Sequence, residues 1–440
     1  MAARAIAAFA LAAAASIAVA QGVASPPSQG GVPADAGGVV DASEALQPLL
    51  DTARPGQVLR LGPGRHAGPL TIRTSVALIG EPGAAIAGNG RGSVVTVEAP
   101  DVRIESVEIT GSGMDLPGMD SAIFLKRSAQ RAQVRGNRLR DNLFGVYVHG
   151  AAGSMVADNL IVGRSDLRTA EAGDGVYIWN APGTRVSGNR IDHGRDGISV
   201  ITSRENVFEH NRFTHLRFAI HYMYTHDSRI VNNHSRGNDV AWALMYSERL
   251  LIRDNVSDGD RDHGLMLNTT NASHIERNVV RDGREKCVFV YNAHRNVVRD
   301  NWFEGCPIGI HFTAGSEGNT MTGNAFIANR TQVKYVGTRF VDWGRDGRGN
   351  YWSDNAAFDL DGNGIADRPY RPNDVMDVVL WKLPAAKALI SSPAVQMVRW
   401  AQARFPALYP GGVVDSAPLM RPPASATTRL RPPSRRDSAW

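Results

Sequence analysis

The side chains in this 440-residue sequence that could do chemistry are soft and imidazole ligands rather than nucleophiles. His221 stands two residues before Met223, and Met245 and Met266 follow at 22 and 21 residues. Met114, Met119, His226 and His263 extend the set. Thioether and imidazole without thiolate suit copper better than zinc, magnesium or calcium. The plainer reading is that methionines fill gaps and lone histidines are satisfied side chains. A second group, Tyr147, Tyr177, Trp179, Phe289 and His311, has the composition of an interface core, so it is a candidate partner-binding stripe.

A harder site lies near the C-terminus. DLDGNGIAD at 359–367 offers Asp359, Asp361, Asn363 and Asp367 at loop positions 1, 3, 5 and 9, with Gly364 at 6 and the Ile365 carbonyl at 7. Oxygen donors at this spacing suit a structural Ca2+, although Tyr370 replaces the usual glutamate at position 12. The alternative is an Asp/Asn/Gly turn without an ion. No catalytic set emerges. Asp-Asp, NTD, GHG, RIK and DPHD are all missing, and DRDHG at 260–264 reads as a solvated turn. The sequence also lacks a GxxxxGK[ST] phosphate loop, so any ATP use belongs to a partner.

The elements that would position these residues repeat. Asn137, Asn159, Asn189, Asn211, Asn233, Asn255, Asn278, Asn301 and Asn324 are spaced by 22, 30, 22, 22, 22, 23, 23 and 23 residues. Some eight residues after most of them comes a short alternating strand, such as GVYV at 145–148, GVYI at 175–178, AIHY at 219–222 and GIHF at 309–312. A unit of this length with three short strands cannot bury its apolar side alone, and stacking solves this. The expected fold is all-β: a right-handed parallel β-helix with an asparagine ladder at one turn. Alternation then puts Tyr147, Tyr177, Ser199, His221, Ala243, Met266, Phe289, His311 and Lys334 in one outward column. His149, Trp179, Ile201, Met223, Met245, Asn268 and Tyr291 form the next. Two irregular segments, 111–121 and 163–175, precede the same strand of their rungs and should project from one corner.

The first twenty residues, with Arg4, an alanine-rich apolar run and Ala18-Val19-Ala20, read as a cleaved signal peptide directing the chain to the periplasm. The net charge of +5 with a pI near 9.3 suggests a nucleic-acid partner until it is mapped. The tail 421–440 has five arginines against one aspartate, and with Arg4 this accounts for the whole excess. The body is neutral, so nucleic acid is not expected. The chain therefore divides into signal peptide 1–20, linker and capping helix 21–57, β-helix 58–340, C-terminal cap 341–420 and disordered basic tail 421–440. Cys287 and Cys306 are near neighbours in the expected coil, which leaves a disulfide, free thiols or a contribution to copper binding open.

The opening VVDASEALQPLLDTARPGQVLRLGPGRHAGPLTI and the block from GNYWSD through DLDGNGIADRPY to WKLPAAKALISSPAVQMVRWAQ, within 349–422, resemble the NosD family. These are periplasmic maturation proteins of nitrous oxide reductase within the carbohydrate-binding and sugar-hydrolase-like β-helix group. The resemblance implies a non-enzymatic assembly factor for a copper–sulfide centre. It would work with the membrane and ATPase subunits of an ABC transporter, a copper chaperone lipoprotein and the reductase apoprotein, associated with the inner membrane through these partners. Segment 370–420, with Val378, Leu380, Trp381, Leu389, Val398 and Trp400, is a cap or a transporter-facing contact. The competing function classes are a polysaccharide-active β-helix enzyme (lyase, epimerase or hydrolase) and a calcium-stabilised glycan-binding adhesin.

Overall fold

The structure is a computed structural model that describes residues 38–423, apart from 314, 338, 345, 406–411 and thirteen positions within 374–391. Residues 1–37, which include the expected signal peptide, together with Val378, Leu380, Trp381 and most of the basic tail, lie outside the described residues. The chain winds into a parallel β-helix whose rungs contribute to three long sheets of 13, 12 and 13 strands. Sheet I begins with Val39–Val40 and Val58–Leu61 and ends with Thr320–Thr322. Sheet II runs from Leu70–Ile72 to Thr331–Val336, and sheet III from Gly64–Ala67 to Tyr351–Trp352.

The alternation explains the strands. In sheet II, Val146 and Val148 stack under Val176 and Ile178, then Ile198 and Val200, Ile220 and Tyr222, and Trp242 and Leu244, all almost fully buried. Each such side chain contributes about 1.5–3 kcal/mol on leaving water. Gly197, second in the strand Asp196–Arg204, leaves no room for a side chain: a Cβ there would meet Phe213 Cδ1 and the Ala219 carbonyl at 2.5 Å.

The asparagines form a continuous ladder between sheets I and III. Asn211 Nδ2 donates to Asn233 Oδ1 at 3.0 Å, Asn233 to Asn255 at 3.1 Å, and Asn255 to Asn278 at 2.9 Å. Each side chain also donates to a carbonyl of the preceding rung, as Asn233 does to Phe208, and accepts the backbone N–H of the asparagine before it. The buried asparagine amides are thereby paired within the protein. The ladder ends at Asn350, which donates to the buried carboxylate of Asp415.

Both ends are covered. Helix α1 (Leu46–Thr52) lies beside the first strand of sheet II, and Gln47 pairs its side-chain amide with both the N–H and the C=O of Thr71, taking the place of a missing strand. At the far end Trp352 stacks on Phe326 at 4.4 Å and donates Nε1 to Asp415. Val413–Val414 pairs with Val341–Asp342. The cysteines are joined: Cys287–Cys306 is a disulfide with a Cα separation of 5.7 Å, clamping neighbouring turns. Helix α2 (Pro393–Arg404) starts at the Ser392 cap and exposes Met397, Val398 and Trp400.

Candidate functional site

Sheet II carries the outward columns expected from the repeat. Tyr147, Tyr177, Ser199, His221, Ala243, Met266, Phe289, His311 and Lys334 are consecutive partners in register. So are His149, Trp179, Ile201, Met223, Met245, Asn268 and Tyr291. The segments 111–121 and 163–175 both leave the corner between sheets III and II, where Arg164 of one lies 3.3 Å from Met114 Sδ of the other.

Together these loops and the sheet enclose a cavity of about 260 Å3. Met119 from the first loop, Asp174 from the second, and His221 and Met223 from the sheet all line it. Asp196 lies in the floor, almost fully buried, and takes the guanidinium of Arg217 in a fork at 2.8 and 2.6 Å. It also faces His221 Nδ1 at 3.1 Å. Burial opposes the Asp196 charge, but the hydrogen bonds from His221 and Arg217 outweigh it and hold the carboxyl below its ordinary range. Asp174 accepts the Asp196 N–H, and burial together with the Asp196 charge pushes it far above the carboxylate range. His221 Nε2 is buried and has no hydrogen-bond partner. With Nδ1 donating to Asp196, Nε2 carries the free lone pair, the arrangement by which carboxylates orient metal-binding histidines.

The pair Asp174 and Asp196 has the split that acid–base catalysis by two carboxylates uses. Both oxygens of Asp196 nevertheless carry Arg217 N–H groups. The groups lining the cavity include one unpartnered imidazole nitrogen and two thioethers, beside the carboxyl of Asp174 and the hydroxyls of Tyr177 and Ser199.

The remaining candidates lie elsewhere. Met245 sits beside Met223 one rung on, while Met266 is separated from His221 by the rung of Ala243, roughly 10 Å away. Met114 is exposed on the outer loop. His226 closes the other end of its strand, in a separate pocket with Arg204 and Tyr224. His263 stacks obliquely on Phe289 at 5.5 Å, and Phe289 meets His311 at 5.0 Å. Burial and the charges of Lys334 and Lys286 press the His311 pKa down to about 4. Tyr147 is buried, packed between Phe124 and Tyr177 with its hydroxyl 2.5 Å from His149 Nδ1. Trp179, paired with His149 at 4.6 Å, is the exposed member of the aromatic group.

In the loop at 359–367, Asp359, Asp361 and Asp367 bring carboxylate oxygens within 4.8 Å of one another. Asp359 accepts the N–H groups of Gly362, Asn363 and Gly364, while Asn363 donates to Asp361 at 2.8 Å. Ile365 bridges Leu419, tying the loop to the final segment.

The aspartates of the cavity were not among the expected ligands. Their signal is Asp-Gly at equivalent places in successive rungs, just before the strand Val176–Trp179 and at the start of Asp196–Arg204.

A parallel β-helix with a loop-covered pocket on one face defines the class of protein. The Azotobacter vinelandii mannuronan C-5 epimerase AlgE6 A-module shares this fold, with a TM-score of 0.56 at 13% identity over 72% of this chain and 95% of that one. A mannuronic acid specific polysaccharide family 6 lyase from human gut microbiota is similar at a TM-score of 0.52 and 11% identity, over 73% and 88%. At these identities the likeness shows the fold alone. The sequence is more telling. Residues 157–357 match the family described as periplasmic copper-binding protein (NosD). The chain is 39% identical over 378 residues to the probable ABC transporter binding protein NosD of Stutzerimonas stutzeri, covering 83% of this chain and 87% of that protein. Its Pseudomonas aeruginosa counterpart, also 39% identical, is covered to 88%. The chain belongs to the NosD family. Among the described residues no helix is long and apolar enough to cross a membrane.

Proposed function

We propose that this protein is a periplasmic assembly factor for the copper–sulfide centre of nitrous oxide reductase and that its loop-covered cavity takes Cu+ as cargo. The observation that carries this reading is His221 Nε2, a buried nitrogen without a partner in a cavity shared with Met119 and Met223. Two soft thioethers and one imidazole favour a monovalent copper ion over hard cations. Met245, one rung on, is placed to receive an ion leaving Met223.

The relatives' names as probable ABC transporter binding proteins support docking to a transporter with separate membrane and ATPase subunits. In this reading the rod also holds the reductase apoprotein and a copper chaperone lipoprotein. The exposed Met397 and Trp400 of α2 are the transporter-facing contact, and Trp179 and Tyr291 belong to the partner stripe on sheet II. The 359–367 loop holds a structural Ca2+ at the closed end of the rod. The role is not catalytic.

Deleting the gene tests the assembly role. Reductase purified from the deletion strain should lack its copper–sulfide centre. A fully metallated reductase from that strain ends the proposal.

A further inference from the structure

Outside the cavity, Asp192, His193 and His215 bring one donor atom each to within 4.8 Å of one another. The ring centroids of His193 and His215 are 4.7 Å apart and nearly parallel, at 21°. Both Nδ1 atoms converge on the same oxygen, Asp192 Oδ1, at 3.1 and 2.8 Å. Thr214 donates to that oxygen as well, at 2.7 Å. Three groups thus crowd one carboxylate oxygen. Ligands about 2.1 Å from a shared ion stand some 3–4 Å from each other, so the cluster needs little rearrangement to close on one.

The backbone builds this arrangement. Asp192 and Thr214 are register partners at the ends of adjacent strands of sheet III. His193 and His215 follow them at equivalent turn positions, both left-handed with φ of 59° and 56°. The next two rungs place Gly237 and Gly259 there, residues to which this conformation comes without steric cost. The turn geometry therefore does not call for imidazole. Two successive histidines beside an aspartate make a nitrogen and oxygen donor set without sulfur, which suits a divalent transition ion of Zn2+ or Cu2+ type rather than Cu+.

The location gives such an ion a job. Gly163, at the entry to the 163–175 loop, donates to the Asp192 carbonyl at 2.8 Å, and Arg195 donates to the carbonyl of Gly173, at its exit, at 2.9 Å. The corner 192–195 thus carries both stems of the loop that covers the cavity. We infer that Asp192, His193 and His215 form a second metal site, for a divalent transition ion, that pins the base of this loop. The inference stands on these residues alone and does not require copper in the cavity.

Isothermal titration of the metal-free exported protein with Zn2+, and separately with Cu2+, tests the site. At least one of these ions should bind with one-to-one stoichiometry. His215→Ala, at an exposed position, should weaken that binding roughly tenfold or more while leaving thermal unfolding of the metal-free protein unchanged. His193→Ala should do the same. A Met119→Leu/Met223→Leu double variant should retain the site. Hydrogen exchange in 163–175 should slow when the ion is added to wild type but not to His215→Ala. Divalent binding unaffected by both histidine substitutions, or absent from wild type, overturns the inference. Binding that leaves exchange in 163–175 unchanged refutes the pinning role.

Discussion

Asp196 Oδ2 lies 3.1 Å from His221 Nδ1, and this contact decides which nitrogen of the imidazole can serve a ligand. A carboxylate that accepts from Nδ1 leaves the lone pair on Nε2, the buried atom without a partner. Arg217 fixes the carboxylate in turn, and so orientation passes from a salt bridge through an aspartate to the cavity.

Asp196→Asn should therefore weaken Cu+ binding without removing a ligand. The expected loss is about 10- to 100-fold in affinity, the usual consequence of losing a carboxylate behind a metal-binding histidine. Because Arg217 also loses its charge partner, unfolding should be followed alongside a competition titration.

Met223 and Met245 are register partners, but only Met223 lines the cavity. Met223→Leu should lower Cu+ affinity strongly, and Met245→Leu should leave it close to wild type while slowing copper transfer to an acceptor. Leucine keeps the volume, so thermal stability should change by less than about 1.5 kcal/mol in both. Stopped-flow transfer to a Cu+ chelator reads the difference.

Asp260 gives the rod a pH dependence. The DRDHG segment reads in sequence as a solvated turn, but its Asp260 is fully buried and accepts from Ser235, Ser257 and the Asn238 N–H, and burial raises its pKa to about 7. Its folded pKa lies above the unfolded value, so the stability it contributes is complete below about pH 4 and is lost as pH rises through 7. Asp260→Asn places amide where the neighbouring rung already has Asn238. Its melting temperature should exceed that of wild type at pH 8, and the gap should close towards pH 4.

Asn233 sits mid-ladder, and its removal strands the Asn211 N–H and the Phe208 carbonyl inside the turn. Asn233→Ala should cost about 2–4 kcal/mol, measured by denaturant unfolding. Asn324, near the end of the ladder, should cost a similar amount, since its contacts are equivalent.

Much of the rod is legible in the sequence, because a strict period leaves little freedom. Once Asn189, Asn211 and Asn233 stack, the register places Ser199, His221 and Ala243 in one column. The columns group His221 with Met223, Met245 and Met266, and the loops add Met114 and Met119; of these, His221, Met223 and Met119 line one cavity. Three things were not legible. Asp174 and Asp196 read locally as Asp-Gly turn residues, and their significance comes from burial beneath loops that no short-range pattern encodes. Met266 and His263 look adjacent in sequence spacing, yet the register sets Met266 two rungs from His221. The pairing of Cys287 with Cys306 depended on where a turn falls, which spacing alone left open.

The loop-covered cavity is proposed to bind Cu+. Anaerobic titration of the purified protein with Cu+ against a chromophoric chelator tests it most directly, with wild type compared to His221→Leu and to the Met119→Leu/Met223→Leu double variant. Wild type should hold one Cu+ per chain tightly, and both variants should lose that site with the fold intact by circular dichroism. Copper binding that is equal in all three proteins, or none in wild type, contradicts the proposal.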